Sequence, residues 1–193
     1  MDILVIILSA VLLENFIFVK FLGCCPFFGL SDKPSNALGM GCAVTFVMTV
    51  SNAITWIVYN FILKPNELEY FRTIAFILII ASLVQLIEMF LRKYLKALYS
   101  ALGIYLPLIT TNCAILGCAL LCIDNSYSLD RSIIYGFFSA VGFTMAIVVF
   151  AGVRARVEFA DVPKCFKGIP IALVTAGLVA MAFSGFQGAS LTI

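Results

Sequence analysis

Two of the seven cysteines, Cys25 and Cys113, combine features that suggest chemistry. Each is followed by a glycine four residues later. Each also lies near a proline, Pro26 directly after Cys25 and Pro107 six residues before Cys113. Prolines disturb helices, and freed backbone groups are tolerated in an apolar environment only where they line a site, so these thiols are candidates for metal binding or redox chemistry. The alternative is that both are small buried hydrophobes.

The residues that precede Cys113 are polar although the surrounding segment is apolar. Thr110, Thr111 and Asn112 therefore read as the lining of a site, or alternatively as small polar residues that join neighbouring helices. Two thiols are too few for an iron–sulfur cluster, which usually takes four protein ligands. A cluster at this place would have to be shared with a second copy or a paralogue of the chain.

The other cysteines carry weaker signals: Cys24, Cys42, Cys118, Cys122 and Cys165. An odd total without paired spacing does not indicate a disulfide framework. Cys42 and Cys118 lie within apolar segments and are expected to be buried packing residues.

Glu14 is an ionisable residue within an apolar segment. An ionisable residue inside a membrane usually marks a functional site, so Glu14 is a candidate for an ion pathway. The alternative is a protonated acid buried against a neighbouring helix.

The elements that must position these residues are membrane helices. Of the 193 residues, 63% are hydrophobic and 11% are charged, and mean hydropathy is +1.14. This composition excludes a soluble enzyme and a disordered tail, and a net charge of +2 leaves no basic surface for nucleic acid.

A bilayer core needs roughly 20 apolar residues per helix. Six segments qualify, which predicts an all-α integral membrane protein: 3–22, 38–62, 73–91, 98–122, 132–153 and 169–187.

Lys and Arg in the short loops predict the orientation of these spans. One side, with loops 23–37, 92–97 and 154–168, carries eight of them, and the other side carries three. The richer side is expected to be cytoplasmic. Because six spans return the chain to its starting side, both termini are expected on the outer side.

The two halves of the chain resemble each other. Residues 39–48 (GMGCAVTFVM) match 136–145 (GFFSAVGFTM) at five places, and 25–29 (CPFFG) matches 113–117 (CAILG). Since three spans is an odd number, the second copy must be inverted, which predicts one membrane domain, 1–193, built from repeats of about 1–92 and 98–193. Cys25 and Cys113 would then meet near the bilayer midplane. Chance similarity between helices rich in Gly, Ala and Val is the alternative.

Several motifs resemble the small six-span membrane subunits of Rnf and Na⁺-NQR complexes. They are FLGCCPF at 21–27, LPLITTNCA at 106–114, GVRAR at 152–156 and ADVP at 160–163. The likeness covers essentially the whole chain, and the motif around Cys113 is the most specific. The first two motifs favour the Rnf branch over the Na⁺-NQR branch.

This resemblance implies a subunit of a membrane-bound ferredoxin:NAD⁺ oxidoreductase that couples electron flow to Na⁺ or H⁺ translocation in the cytoplasmic membrane of a bacterium or archaeon. The chain would be the A-type subunit, paired with a homologous, inverted E-type subunit. Together they would hold one [2Fe–2S] cluster, with Cys25 and Cys113 as this chain's ligands. The further partners that the resemblance implies are flavin-bearing subunits, a ferredoxin-side iron–sulfur subunit and an NADH-side subunit.

In that family reading, Thr110, Thr111 and Asn112 are expected to donate hydrogen bonds to the cluster sulfurs. Cys24 departs from the commoner single cysteine before the proline and is a competing ligand. A secondary transporter, which inverted repeats also build, and a purely structural anchor are the rival interpretations.

Overall fold

The structure of the chain is a computed structural model that describes Ile7, Ala10, Val11 and the ranges 15–30, 34–65, 69–94, 112–157, 159 and 163–187. These residues contain six α-helices and no strand: α1 Cys24–Leu30, α2 Pro34–Val58, α3 Arg72–Tyr94, α4 Cys113–Asp124, α5 Leu129–Val157 and α6 Ile169–Gln187. A π-helical turn at Tyr59–Leu63 extends α2, and 3-10 turns at Glu69–Phe71 and Lys164–Phe166 precede α3 and α6. The predicted all-α class is confirmed.

Three helical segments are long and apolar enough to cross a membrane by themselves: Ala37–Leu63, Arg72–Met89 and Leu129–Val157. They match the predicted spans 38–62, 73–91 and 132–153. Helix α6 covers the predicted 169–187. A helix satisfies its own backbone groups, which is why such apolar runs are helical in lipid. The number of six spans stays a prediction, because the described residues include only parts of the first and fourth.

The first predicted span, 3–22, does not continue as a helix through its described end. Residues 16–20 form turns, and the backbone then takes φ values of +54° at Phe21 and +82° at Gly23. Helix α1 begins directly afterwards, at Cys24, within the segment 23–37 that was predicted to be a loop. The prediction was wrong here because hydropathy measures composition and is insensitive to left-handed backbone angles.

Asn15 ties this interrupted segment to the rest of the protein. Its side-chain oxygen accepts a hydrogen bond from the Ile17 N–H at 3.1 Å, and its amide donates to the Gly142 carbonyl of α5 at 3.0 Å. A side chain that bonds its own backbone competes with helix formation. Glu14, the neighbouring candidate for an ion pathway, lies outside the described residues.

The fourth predicted span, 98–122, overlaps α4. This helix begins at Cys113, and the residues before Asn112 lie outside the described part of the chain. Its 12 residues extend over about 18 Å, so α4 alone is shorter than a bilayer core.

Helices α2 and α5 carry the segments that resemble each other, and they pack against each other in opposite directions. Residues later in α2 meet residues progressively earlier in α5 and the loop before it. These pairs are Gly41 with Thr144, Asn52 with Gly136, and Trp56 with Tyr127. Antiparallel packing is what an inverted repeat requires. The repeat itself, with its bounds near 92 and 98, stays a prediction.

The two ends of this bundle differ in their charged residues. At one end, named here the Arg72 end, Arg72 at the start of α3 forms an exposed ion pair of 2.7 Å with Asp124 at the end of α4. At the other, named the Arg154 end, α5 ends with Arg154 and Arg156, and α3 ends with two further basic residues.

Candidate metal-binding site

The first turns of α1 and α4 meet although they are far apart in sequence. The backbone N–H of Gly23, just before α1, donates a hydrogen bond to the Cys113 Sγ atom at 2.9 Å. Cys24 lies close enough to interact electrostatically with both Cys25 and Cys113. The structure therefore brings together the two cysteine-bearing turns that the sequence singled out.

Gly23 is required at this contact for two reasons. Its φ of +82° is a conformation that residues with a Cβ rarely adopt. A Cβ at this position would also lie 2.7 Å from the Phe143 ring and 3.2 Å from the Ala114 Cβ atom. The sequence analysis placed Gly23 at the start of the loop 23–37 and missed its role, although a glycine directly before a cysteine pair was a visible signal.

Asn112 holds the start of α4. Its side-chain oxygen accepts a hydrogen bond from the Ala114 N–H at 3.0 Å, which caps the helix and places Cys113 at the first helical position. The side-chain amide nitrogen is buried and has no hydrogen-bond partner among the described residues. Asn112 thus keeps a donor beside Cys113. Thr110 and Thr111, predicted with it, lie outside the described residues.

The three neighbouring thiols differ in exposure and in bonding. The Cys24 thiol donates to the Phe21 carbonyl at 3.2 Å, within its own turn. Cys25 is exposed, and Cys113 is half-buried. Cys24 is thus engaged within its own turn, whereas Cys25 is open to the outside of the chain.

The far end of α1 is held by a charged side chain. The Arg154 guanidinium of α5 donates to the Phe28 carbonyl at 3.0 Å. The last carbonyls of a helix have no intrahelical partner, so a cation there stabilises it. Phe27 of the same helix stacks on Phe150 of α5, with ring centroids 4.2 Å apart. Helix α1 is therefore anchored to α5 beyond its cysteines.

A cavity of about 570 Å³ opens beside Cys113. Helix α4 contributes Cys113 and Leu116 to its walls, next to Asn112, and α3 contributes Ile77 and Gln85 among others. Its walls are mostly apolar, so the Cys113 thiol faces an environment with few competing hydrogen-bond partners.

The described residues do not offer a complete set of metal ligands. Among the described residues, no group of three or more His, Cys, Asp or Glu side chains is arranged to hold a metal ion. At Cys113, the N-terminus of the 12-residue α4 favours negative charge, which suits a thiolate ligand. Two thiols with backbone and amide donors fit half of a metal–sulfur site.

The remaining cysteines divide between the interior and the surface. Cys118 and Cys122 are buried, as expected for Cys118. Cys42 and Cys165 are exposed. The expectation for Cys42 was wrong because helix periodicity points it away from the α2–α5 interface, although its segment is apolar.

Comparisons with known proteins find relatives over nearly the whole chain. The family model described as Rnf-Nqr subunit, membrane protein, matches residues 3–190. The A-type subunit of an ion-translocating oxidoreductase complex from Syntrophotalea carbinolica is 54% identical over 97% of each chain. Its counterpart in the Na⁺-translocating ferredoxin:NAD⁺ oxidoreductase complex of Acetobacterium woodii is 55% identical, covering 99% of this chain and all of the relative. The counterpart from Cronobacter sakazakii is 55% identical over 97% of each chain. The chain belongs to the Rnf-Nqr family of membrane subunits.

Proposed function

We propose that the chain is a membrane subunit of an ion-translocating ferredoxin:NAD⁺ oxidoreductase, and that Cys25 and Cys113 supply two of the four ligands of an intramembrane [2Fe–2S] cluster. The hydrogen bond from Gly23 to Cys113 carries this proposal, because it joins the two cysteine-bearing turns. The names of the relatives support the reaction, since they describe subunits of ion-translocating oxidoreductase complexes.

The residues of the chain fit such a group. When bound, an iron–sulfur cluster accepts and releases one electron at a time. The Gly23 N–H stabilises negative charge on the Cys113 sulfur, and the Asn112 amide is a second donor close by. Hydrogen bonds to the sulfurs raise a cluster's reduction potential. The walls of the cavity beside Cys113 are mostly apolar.

A partner subunit completes the proposed site. The described residues offer too few ligands for a cluster, and Cys25 faces outward. We propose that a homologous E-type subunit, in the opposite orientation, supplies the other two cysteines. The other proposed partners are the ferredoxin-side iron–sulfur subunit, the flavin-bearing subunits and the NADH-side subunit.

The proposed location is the cytoplasmic membrane of a bacterium or archaeon, with both termini on the outer side. Support comes from the basic residues at the ends of α3 and α5, since cytoplasmic loops carry an excess of Lys and Arg. The Acetobacterium woodii relative is named for Na⁺, whereas the others are named only for an ion. The choice between Na⁺ and H⁺ is therefore left to measurement.

Spectroscopy on the purified complex tests this function. Iron, sulfide and the EPR spectrum of the reduced complex are compared between wild type, Cys25→Ser and Cys113→Ser. We expect both variants to lose one [2Fe–2S] signal while the subunits still co-purify. Cys165→Ser is the matched control, because this exposed cysteine lies in the 3-10 turn before α6, outside α1 and α4, and it should keep the signal. Unchanged iron content in all three variants would make the two thiols packing residues and favour a secondary transporter.

A further inference from the structure

The buried serines of α5 do not donate a hydrogen bond to the backbone carbonyl of the preceding helical turn. Six other helical hydroxyls donate to the carbonyl four residues earlier: Thr45, Thr49, Thr55, Ser82, Thr144 and Thr175. The hydroxyls of Ser132 and Ser139 on α5 donate to no oxygen or nitrogen atom among the described residues, although each side chain is only 1% exposed. Their polar neighbours are the Cys122 and Cys118 thiols. These two hydroxyls therefore meet only thiols, which are weak hydrogen-bond partners.

Asn52 of α2 brings an unpartnered oxygen to the same interior. It is 1% exposed, and its amide nitrogen donates to the Cys118 Sγ atom of α4 at 3.1 Å. The side-chain oxygen of Asn52 has no partner among the described residues. Gly136 of α5 makes room for this side chain, because a Cβ there would collide with the Asn52 amide.

These groups form a polar column between three helices. We define it by Asn52, Cys118, Cys122, Ser132 and Ser139. Ser132 and Ser139 share one face of α5 with Gly136, as residues four and seven apart do. Ser139 lies next to the Cys118 thiol, and the Cys122 Sγ atom is 4.0 Å from the Ser132 carbonyl oxygen. The two serines are seven positions apart on α5, so the column is about 10 Å long.

The column begins near the candidate metal-binding site and leads toward the Arg72 end. Cys118 follows Cys113 by five residues, about 7.5 Å along α4. Cys122 lies farther along, close to Asp124 of the Arg72 end. The column thus extends from the site toward one membrane surface.

Polar oxygens that are unpartnered or meet only thiols are costly in a membrane interior, and small polar species normally satisfy them. The oxygens of the column are hydroxyl and amide oxygens, and none of its side chains carries a fixed negative charge. A neutral oxygen set of this kind suits water and a monovalent cation better than a divalent cation. We propose that the polar column is a hydrated transit site for the small monovalent cation that moves when electrons flow. This inference rests on the proposed function.

Transport by the reconstituted complex tests the column. The complex is placed in liposomes of phosphatidylethanolamine and phosphatidylglycerol. Uptake driven by electron transfer from ferredoxin to NAD⁺ is followed with ²²Na⁺ and, separately, with the pH dye pyranine. Loss of one oxygen from the site should raise the cation concentration for half-maximal uptake roughly tenfold in Ser132→Ala and Ser139→Ala. The cation that shows this shift is the one that passes through the column.

Two further variants separate a ligand role from a structural one. Ser184→Ala makes the same chemical change at an exposed hydroxyl of α6 that bonds its own helix, and it should behave as wild type. Ser139→Thr keeps a hydroxyl and should recover the wild-type value. Uptake is expressed per [2Fe–2S] cluster measured by EPR, so that poorly assembling variants still report.

The possible failures are distinguishable. Wild-type cation dependence in Ser132→Ala and Ser139→Ala, with the cluster signal present, overturns the column alone. Equal shifts in Ser139→Ala and Ser139→Thr also overturn it, because the oxygen would then not matter. Absence of the cluster signal from the wild-type complex overturns the proposed function, and the column as a transit site with it.

Discussion

Replacement of Gly23 by alanine probes the contact between the two cysteine-bearing turns. At a φ of +82°, a Cβ costs about 1–2 kcal/mol. Crowding against the Phe143 ring, 2.7 Å from the new atom, adds about 1–3 kcal/mol. Together these terms amount to about 2–5 kcal/mol, which exceeds the net value of a single hydrogen bond, about 0.5–1.5 kcal/mol. The backbone at Gly23 should therefore move and lengthen its 2.9 Å hydrogen bond to Cys113.

Loss of this bond should make the cluster harder to reduce. The N–H stabilises the more negative, reduced form, and a difference of about 1 kcal/mol corresponds to roughly 40 mV for one electron. The assay is a redox titration of the purified complex followed by EPR. We expect Gly23→Ala to shift the midpoint about 40 mV to more negative values and to lower the unfolding temperature.

The control for this prediction lies in α1, the helix that Gly23 precedes. Gly29 has no atom within 4 Å of a built Cβ, so Gly29→Ala should leave the midpoint unchanged. A wild-type midpoint in Gly23→Ala would refute the reasoning, because the bond would then not influence the cluster. Equal shifts of the midpoint in both variants would mean that the effect comes from a general loss of structure in α1.

Two further predictions concern the anchoring of α1 and the orientation of the chain. Arg154→Ala removes the donor to the Phe28 carbonyl and should destabilise the protein by about 1.5–3 kcal/mol, seen as a lower unfolding temperature in detergent. Arg156→Ala, an exposed neighbour at the same end, should change little, and equal losses in both would contradict a specific role for Arg154. Cys165, exposed in the 3-10 turn before α6, should react with a membrane-impermeant maleimide in inside-out vesicles but not in intact cells. Labelling in intact cells would reverse the proposed orientation.

Much of the fold could be predicted because it depends on composition. A run of apolar residues must form helix in lipid, since no water is present to satisfy the backbone. For this reason α6 coincides with the predicted 169–187, and α3 and α5 extend their predicted spans by only a few residues. The break after residue 15 could not be found in this way. It depends on Asn15 bonding to α5 and on left-handed angles at Phe21 and Gly23, which leave apolar composition unchanged.

The candidate site shows the same division. Cys25, Cys113 and Asn112 could be identified in the sequence, because polar and thiol groups beside prolines are unusual in an apolar segment. That Asn112 caps α4 and that Gly23 donates to Cys113 depends on backbone direction and on contacts across 90 residues. Thr110, Thr111 and Glu14 stay predictions, since they lie outside the described residues.

The sequence by itself determined that this protein is helical, lies in a membrane and carries two unusual cysteines. These properties follow from the transfer free energy of side chains and from the chemistry of the thiol, which neighbouring helices change little. Only the tertiary structure decided that α2 and α5 run antiparallel, that the turns of Cys25 and Cys113 meet, and that Asn52 and Ser139 both lie against the Cys118 thiol. Such arrangements depend on the direction in which each side chain leaves its helix and on which helices become neighbours. Packing sets both, and no local property of the sequence encodes them.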